Sequence, residues 1–390
     1  MNKRIESQDF TITCLTPVHI GSGEKLGKTE YLYDARHRQV SIIDGSKFYQ
    51  LLLKKDKIDE FARALYTPKG FNLYVWLKKN NFTAEEIAAI AQRVVKVLSV
   101  ETNVNEIALQ ARQADGRLYI PGSSIKGAIR TAVLSSLLQN NPFEQKRLWL
   151  KLEQDIVNAR NAKELRRINY KWENELLSKV PVKKSVGDNK INAAASSVMR
   201  GLLVSDAITD VKEAVILKKW DRSYVNGKLD DGHSVALFRE CIPKGTKFNC
   251  RITIDCEFMK LIGIENIADI WRLTRQFYHT GINWQQEVFG QQCRDEMALA
   301  KMADILLGGG TGFVSKTVFY TLALAESKPV GVRLLAKYFD KMFQMYNRKL
   351  HKKIPSHNHV AKDKIISPRT LKLVTSDQGN QMLGLCQIKE

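Results

Sequence analysis

The stretch LLGGGTGFVSKT, residues 306–317, carries glycine at four of five consecutive positions: Gly308, Gly309, Gly310 and Gly312. Glycine at that density marks a backbone that enters left-handed φ or lies against another surface with no Cβ between. A single glycine is enough to cap a helix, so the cluster predicts a loop shaped for a further purpose. A nucleotide-binding P-loop reads G-x-x-x-x-G-K-[ST] and joins a strand to a helix. The window beginning at Gly310 places Ser315 where the second glycine belongs, ahead of Lys316 and Thr317. The flanks predict the opposite order. Val288, Met297, Ala300, Ile305 and Leu306 fall near one helical stripe over 284–307, and residues 318–324 have the aromatic, β-branched composition of a strand. Helix–loop–strand argues against NTP hydrolysis. It leaves Gly308, Gly309, Gly310, Thr311 and Gly312 as a cradle whose N–H groups approach some other phosphate. Lys316 is placed to pair with that phosphate, and Phe313 either stacks on a base or packs in the core.

Charge points the same way. Lys and Arg number 61 against 41 Asp and Glu, a net charge of +20 over 390 residues. Such a balance favours a polyanionic partner, nucleic acid above all. The hydrophobic content of 44% fits a packed globular chain. No apolar run reaches membrane-spanning length and MNKRIESQDF has no apolar signal region, so a soluble, cytoplasmic protein is expected. The six cysteines show no C-x-x-C spacing, and neither a metal site nor a cofactor is expected. His357-Asn358-His359 lacks the i, i+4 spacing of a zinc helix.

Along the chain, DFTITCLTPVHIGSG, residues 9–23, predicts a strand that alternates and then breaks at Pro17 and Gly21. Residues 28–45 predict two short strands around a turn at 34–38. Segments 46–65, 69–80 and 83–98 predict helices, with Ser46 and Thr83 as N-caps and a capping box at Thr83–Glu86. Residues 105–138 predict strand, Asp115-Gly116 turn, strand, tight turn and helix. Residues 142–180 are strongly helical, and 180–197 predict a mobile loop. Four strands follow from 198, then helices over 267–279, 284–307 and 330–350, and two short strands at the C-terminus. Without regular βα alternation the expected class is α+β, with antiparallel sheets and helices on one face. The expected parts are an N-terminal half at 1–141, a helical insert and loop at 142–197, and a C-terminal half at 198–390.

Two more segments carry chemistry. In IPGSSIKGAIR, Pro121 and Gly122 break the strand and Ser123 or Ser124 can cap the new helix. A helix N-terminus is an anion site, and Lys126 and Arg130 lie one turn apart on the same predicted exposed face. In LTPVHIGSGE, His19 and Gly21 follow the first strand. His19 contacts RNA, is satisfied by backbone at a strand end, or acts as a general acid/base; no partner acid or base is visible beside it.

Taken together, LTPVHIGSGE (15–24), LYIPGSSIKGAIRTAVL (118–134) and LLGGGTGFVSKTVF (306–319), in this order and at these separations, resemble the RAMP superfamily of CRISPR proteins. The tail SPRTLKLV (367–374) and the chain length narrow the likeness to the subunit at the guide RNA's 3′ end in type III-A (Csm) effector complexes. The helical insert at 142–180 carries no motif of that kind. The resemblance implies ferredoxin-like, RRM-like cores with helical insertions. It implies a guide crRNA as ligand, neighbouring RAMP backbone subunits as partners, and compatibility with recruited host nucleases. It further implies that His19, Gly21, Ser123, Ser124, Lys126, Arg130 and the glycine loop through Lys316 touch RNA.

Backbone subunits of such complexes cleave target RNA with an aspartate in the loop after the HIG strand. Here that loop, 21–31, reads GSGEKLGKTEY, with Glu24 and Glu30 but no aspartate; Asp34 comes later. The expectation is a non-catalytic, capping RNA-binding subunit that supports guide maturation. The alternative from the same superfamily is a metal-independent endoribonuclease that processes guide precursors with His19 as its acid/base.

Overall fold

The computed structural model describes residues 4–66, 71–181, 193–231 and 237–390. Most of the loop expected at 180–197 lies outside the described residues. Among them, two sheets carry the fold. In the first, Ile5–Cys14 runs between Leu385–Lys389 and Lys247–Asp255, antiparallel to both. Leu202–Val204 adds beyond Lys247–Asp255. With the helices Gly122–Gln139 and Ile267–Phe289, which pack on each other, the chain order is strand, helix, strand, strand, helix, strand. The spatial order of those strands is fourth, first, third, second, the split βαβ arrangement of ferredoxin-like units. The first strand alternates as the sequence predicts: Phe10, Ile12 and Cys14 point into the core.

The second sheet runs Gly21–Leu26, Ile107–Gln110, Leu237–Cys241, Val215–Val225, Ala91–Val97, Gln39–Ile43, Tyr31–Asp34, with Thr370–Ser376 also on Val215–Val225. It is not wholly antiparallel. Val215–Val225 pairs parallel with Ala91–Val97, and Leu237–Cys241 with Ile107–Gln110. Both sheets draw strands from both ends of the chain, so the expected halves at 1–141 and 198–390 interleave. The helices of the expected insert, Pro142–Asn158 and Ala162–Leu177, bury Trp149, Leu152, Leu165 and Trp172 in the main core. A smaller core, with Phe48, Leu52, Leu73, Trp76 and Phe82, holds the helical arm after residue 44.

Several local expectations change. The segment 83–98 is a helix only at Ala84–Ala89, where the Thr83–Glu86 capping box forms. Ala91–Val97 is a strand, because Val95 and Val97 are buried with period two. Asp44, and not Ser46, caps Gly45–Lys54, its carboxylate accepting from Ser46 and Lys47 N–H. Ile267–Phe289 is one helix, and the helix expected over 330–350 ends at Met342, giving way to a hairpin of Gln344–Asn347 and Lys352–Pro355.

Candidate nucleic-acid interface

The chain passes between the two sheets after Cys14, after Cys241 and between Ile107–Gln110 and Tyr119–Ile120. These crossings are tied together. Val18 bridges Ile242, and Arg112 bridges Leu118. At their centre the fully buried Glu240 carboxylate accepts from Arg112 (2.6 Å), Arg93 (3.1 Å) and the Gln110 N–H (3.0 Å). Burying a carboxylate this deeply is costly unless its oxygens are met by such a set of donors. The Glu240 carbonyl lies 2.7 Å from Nδ1 of His19.

His19 is therefore part of the frame. Its ring is 2% exposed, and burial is the main cause that lowers its pKa to about 4. At neutral pH the ring is uncharged, so Nδ1 donates to Glu240. Its backbone matters more: the His19 carbonyl accepts from the Gly309 N–H at 2.7 Å. The glycine loop thus closes onto the segment 18–20, which explains its composition. Gly308, Gly310 and Gly312 have φ of +94°, +84° and +100°, and a Cβ on Gly308 would stand 2.5 Å from the His19 carbonyl. Gly309 has no positive φ, and its Cβ would meet His19 Cδ2 at an ordinary 3.4 Å. The glycines are required first by the chain's own close approach.

The flanks of the loop overturn the helix–loop–strand expectation. Ile305–Leu306 is a short strand on Leu385–Lys389, a 3₁₀ turn covers Phe313–Ser315, and Phe319–Ala323 is a helix. Strand composition misleads over 318–324 because Phe319, Tyr320, Leu322 and Ala323 are all buried, leaving no period to read. The order is that of a P-loop, but the loop is not free to hold a triphosphate. The Gly309 N–H is already bonded, and Thr311 is 2% exposed, its hydroxyl between the Gly308 carbonyl (3.2 Å) and Ser315 Oγ (2.8 Å). Thr311 braces the loop from within and has no surface for RNA. Phe313 packs in the core: Phe339, Phe319, Tyr338 and Tyr320 surround it at centroid distances of 4.7–6.3 Å.

Between the loop and the helix Gly122–Gln139 lies a cleft of about 450 Å³, lined by Ile20, Gly21, Ser123, Ser124, Gly127, Ala128, Thr131, Gly308, Gly309, Ser315 and Lys316. The three motif segments, far apart in sequence, meet there. Lys316 is exposed, yet the walls desolvate its ammonium and lower its pKa, with no charged neighbour contributing. Behind the loop, the Arg239 guanidinium would lie 3.3–3.7 Å from Cβ atoms on Gly309 and Gly310. Among the described residues its buried Nε has no hydrogen-bond partner. Sequence reasoning missed Arg239, a strand residue in ordinary alternation that only the fold brings beside the glycines.

Lys126 and Arg130 do not join the cleft. Neither is exposed as expected: Lys126 Nζ donates to the Leu202 carbonyl (2.6 Å) and Arg130 pairs with Glu173 (2.7 Å). Nor do Ser123 and Ser124 cap the helix. Pro121 holds the cap position, and the Gly122 N–H donates to Asp206 (2.7 Å), so a carboxylate already occupies part of that N-terminus. Residues 21–26, expected as a loop, form a bulged strand on Ile107–Gln110. Among the described residues no helix is long and apolar enough to cross a membrane, and no group of three His, Cys, Asp or Glu side chains could hold a metal ion.

The model of the RAMP superfamily matches residues 11–376. A protein of Streptococcus thermophilus called CRISPR system Cms protein Csm5 is 26% identical over 372 residues, covering 90% of this chain and 91% of its own length. The protein of the same name from Mycobacterium tuberculosis is 24% identical, covering 100% of this chain and 98% of its own. Among solved structures, a chain of a Csm–crRNA–target RNA ternary complex of a type III-A CRISPR-Cas system superposes with a TM-score of 0.65 at 18% identity, covering 98% of this chain and all of that one. The crystal structure of T. onnurineus Csm5 superposes at 0.56 and 20% identity, covering 82% of this chain and 95% of that one.

Proposed function

The chain belongs to the RAMP superfamily, and from that premise we propose that it is a non-catalytic, RNA-binding subunit of a type III-A CRISPR effector complex. It grips the 3′ portion of the guide, caps the row of backbone subunits it docks on, and supports guide maturation in the cytoplasm. The observation that carries this reading is the convergence of the three motif segments on one cleft. Its available groups are backbone, serine hydroxyls and the Lys316 ammonium. Such groups hold a phosphate backbone and carry no base code. The net charge of +20 supplies the long-range attraction. Relatives named Csm5 that align along nearly the whole chain, and the fold shared with a chain of an RNA-bound Csm complex, support the same reading.

The alternative, guide processing with His19 as acid/base, finds little support. The ring is buried, bonded to a backbone carbonyl, and nearly all neutral at pH 7. Poor proton affinity makes it a weak base, and the scarcity of the charged form a weak acid. The test is incubation of the purified chain with guide-precursor (repeat) RNA in EDTA. Retention of intact RNA supports the proposal. Cleavage lost in His19→Ala would replace it with the endoribonuclease.

A further inference from the structure

Lys316 also borders a second cleft, of about 600 Å³, on the far side of the glycine loop. One wall is aromatic, with Phe313, Phe339, Phe343, His357 and His359; the other is sheet, with Lys219, Asp221, Ser223, Thr370 and Lys372. Nothing in the cleft between the loop and the helix uses these residues.

The aromatic wall is held rigidly. His359 Nδ1 lies 2.8 Å from the buried Asp363 carboxylate, which also accepts from Ser367 (2.6 Å) and Arg369 (2.5 Å). Arg369 in turn donates to the His357 carbonyl (3.0 Å). Phe343 is the open member. It is 44% exposed, lies parallel to Phe339 at 6° and 6.1 Å, and meets the edge of His357 at 5.9 Å. A large aromatic face left open on a fixed support is a stacking platform. On the floor Lys219 and Lys372 both pair with Asp221, and Asp230 lines the same cleft, so the floor is balanced in charge and Lys316 and the hairpin supply the positive charge. The hairpin beyond Phe343 exposes Arg348, Lys349, Lys352 and Lys353, and no acidic residue occurs from 341 to 362.

We propose that this cleft seats one nucleobase of the RNA strand, stacked on Phe343, with the adjoining phosphate on Lys316. The proposal rests on the RNA-binding reading above and extends its track past the glycine loop. Stacking is tolerant of base identity, because every base offers a π face, so the pocket fixes register and not sequence. The cleft's volume falls in the range of small-ligand pockets, about 300–1,000 Å³.

The experiment uses the full chain and single-stranded guide RNA in which 5-iodouridine is walked along the 3′ portion. Irradiation is expected to cross-link one register of the label to Phe343 or His357, located by mass spectrometry. Phe343→Ala is expected to weaken RNA binding about 5- to 150-fold, the equivalent of one stacked base at about 1–3 kcal/mol; Phe343→Trp restores it. Thermal melting reports whether the variants fold, and the wild-type cross-link does not depend on them. RNA binding with cross-links confined to residues 20–21, 123–131 and 308–316, and full affinity in Phe343→Ala, would overturn the pocket and leave the RNA reading standing. No RNA binding by the wild-type chain would remove both.

Discussion

The two walls of the first cleft present the same features in sequence and opposite ones in space. Each offers glycines, free backbone N–H groups and a nearby lysine. On the loop wall Gly308 and Gly309 pack inward on His19, while among the described residues Lys316 enters no ion pair and the buried Arg239 Nε has no hydrogen-bond partner. On the helix wall the N-terminus is filled by Asp206, and Lys126 and Arg130 bond to Leu202 and Glu173. What remains on that side toward the cleft is small: Ser123, Ser124, Gly127 and Thr131. On the proposed reading the loop wall binds the phosphate backbone and the helix wall shapes the cleft. A cation's spacing on a helix says where it points, but only the fold decides whether an acid or a carbonyl is waiting there.

The largest expected effect tests the loop wall's dependence on its own packing. Gly308→Val sets a Cβ 2.5 Å from the His19 carbonyl at φ +94° and is expected to cost about 3 kcal/mol or more, with loss of RNA retention. Gly309→Ala, at an ordinary φ, is expected to cost under about 1 kcal/mol. Equal melting temperatures for the two would break the distinction among the glycines.

Next comes the frame beneath the loop. The pKa of His19 is depressed to about 4 in the folded chain, against about 6.5 unfolded. Between those values the unfolded state binds more protons, so stability falls as pH falls. The expected loss from pH 7 to 4.5 is about 2–3 kcal/mol. Chemical denaturation at the two pH values, wild type against His19→Gln, isolates it: the variant lacks this part of the decline. An identical decline in both would show that His19 is not the group responsible.

The helix wall offers a variant that separates stability from binding. Gly127 has nothing within 4 Å of its Cβ position and faces the cleft. Gly127→Glu is expected to stabilise the helix by roughly 0.5–1 kcal/mol while weakening RNA binding at least about tenfold, by bulk and by charge. Unchanged affinity would show that RNA does not enter between the walls.

The alternation of the first strand, the Asp115-Gly116 turn and the helix after IPGSS were legible because period-two burial and turn residues leave strong local marks. The strand at Ala91–Val97 and the helix at Phe319–Ala323 were not. In the first a capping box at Thr83 starts a real helix that its sequence does not visibly stop; in the second complete burial erases periodicity. Arg239, Phe343 and the basic hairpin were missed for a further reason. Their significance lies in neighbours far along the chain: Gly310 for Arg239, and the bond from Ser356 N–H to the Phe343 carbonyl that fixes the hairpin's base.

The smallest effect expected is also the most direct test of the two-wall account: the salt dependence of RNA affinity in Lys316→Ala and Lys126→Ala. For single strands, log K falls against log salt with a slope of about −0.7 per neutralised phosphate. Lys316→Ala is expected to make the slope shallower by about 0.7 and to leave the melting temperature unmoved. Lys126→Ala is expected to leave the slope unchanged and to lower stability by about 1 kcal/mol through its lost bond to Leu202. The reverse pattern, a shallower slope in Lys126→Ala and none in Lys316→Ala, would contradict the account.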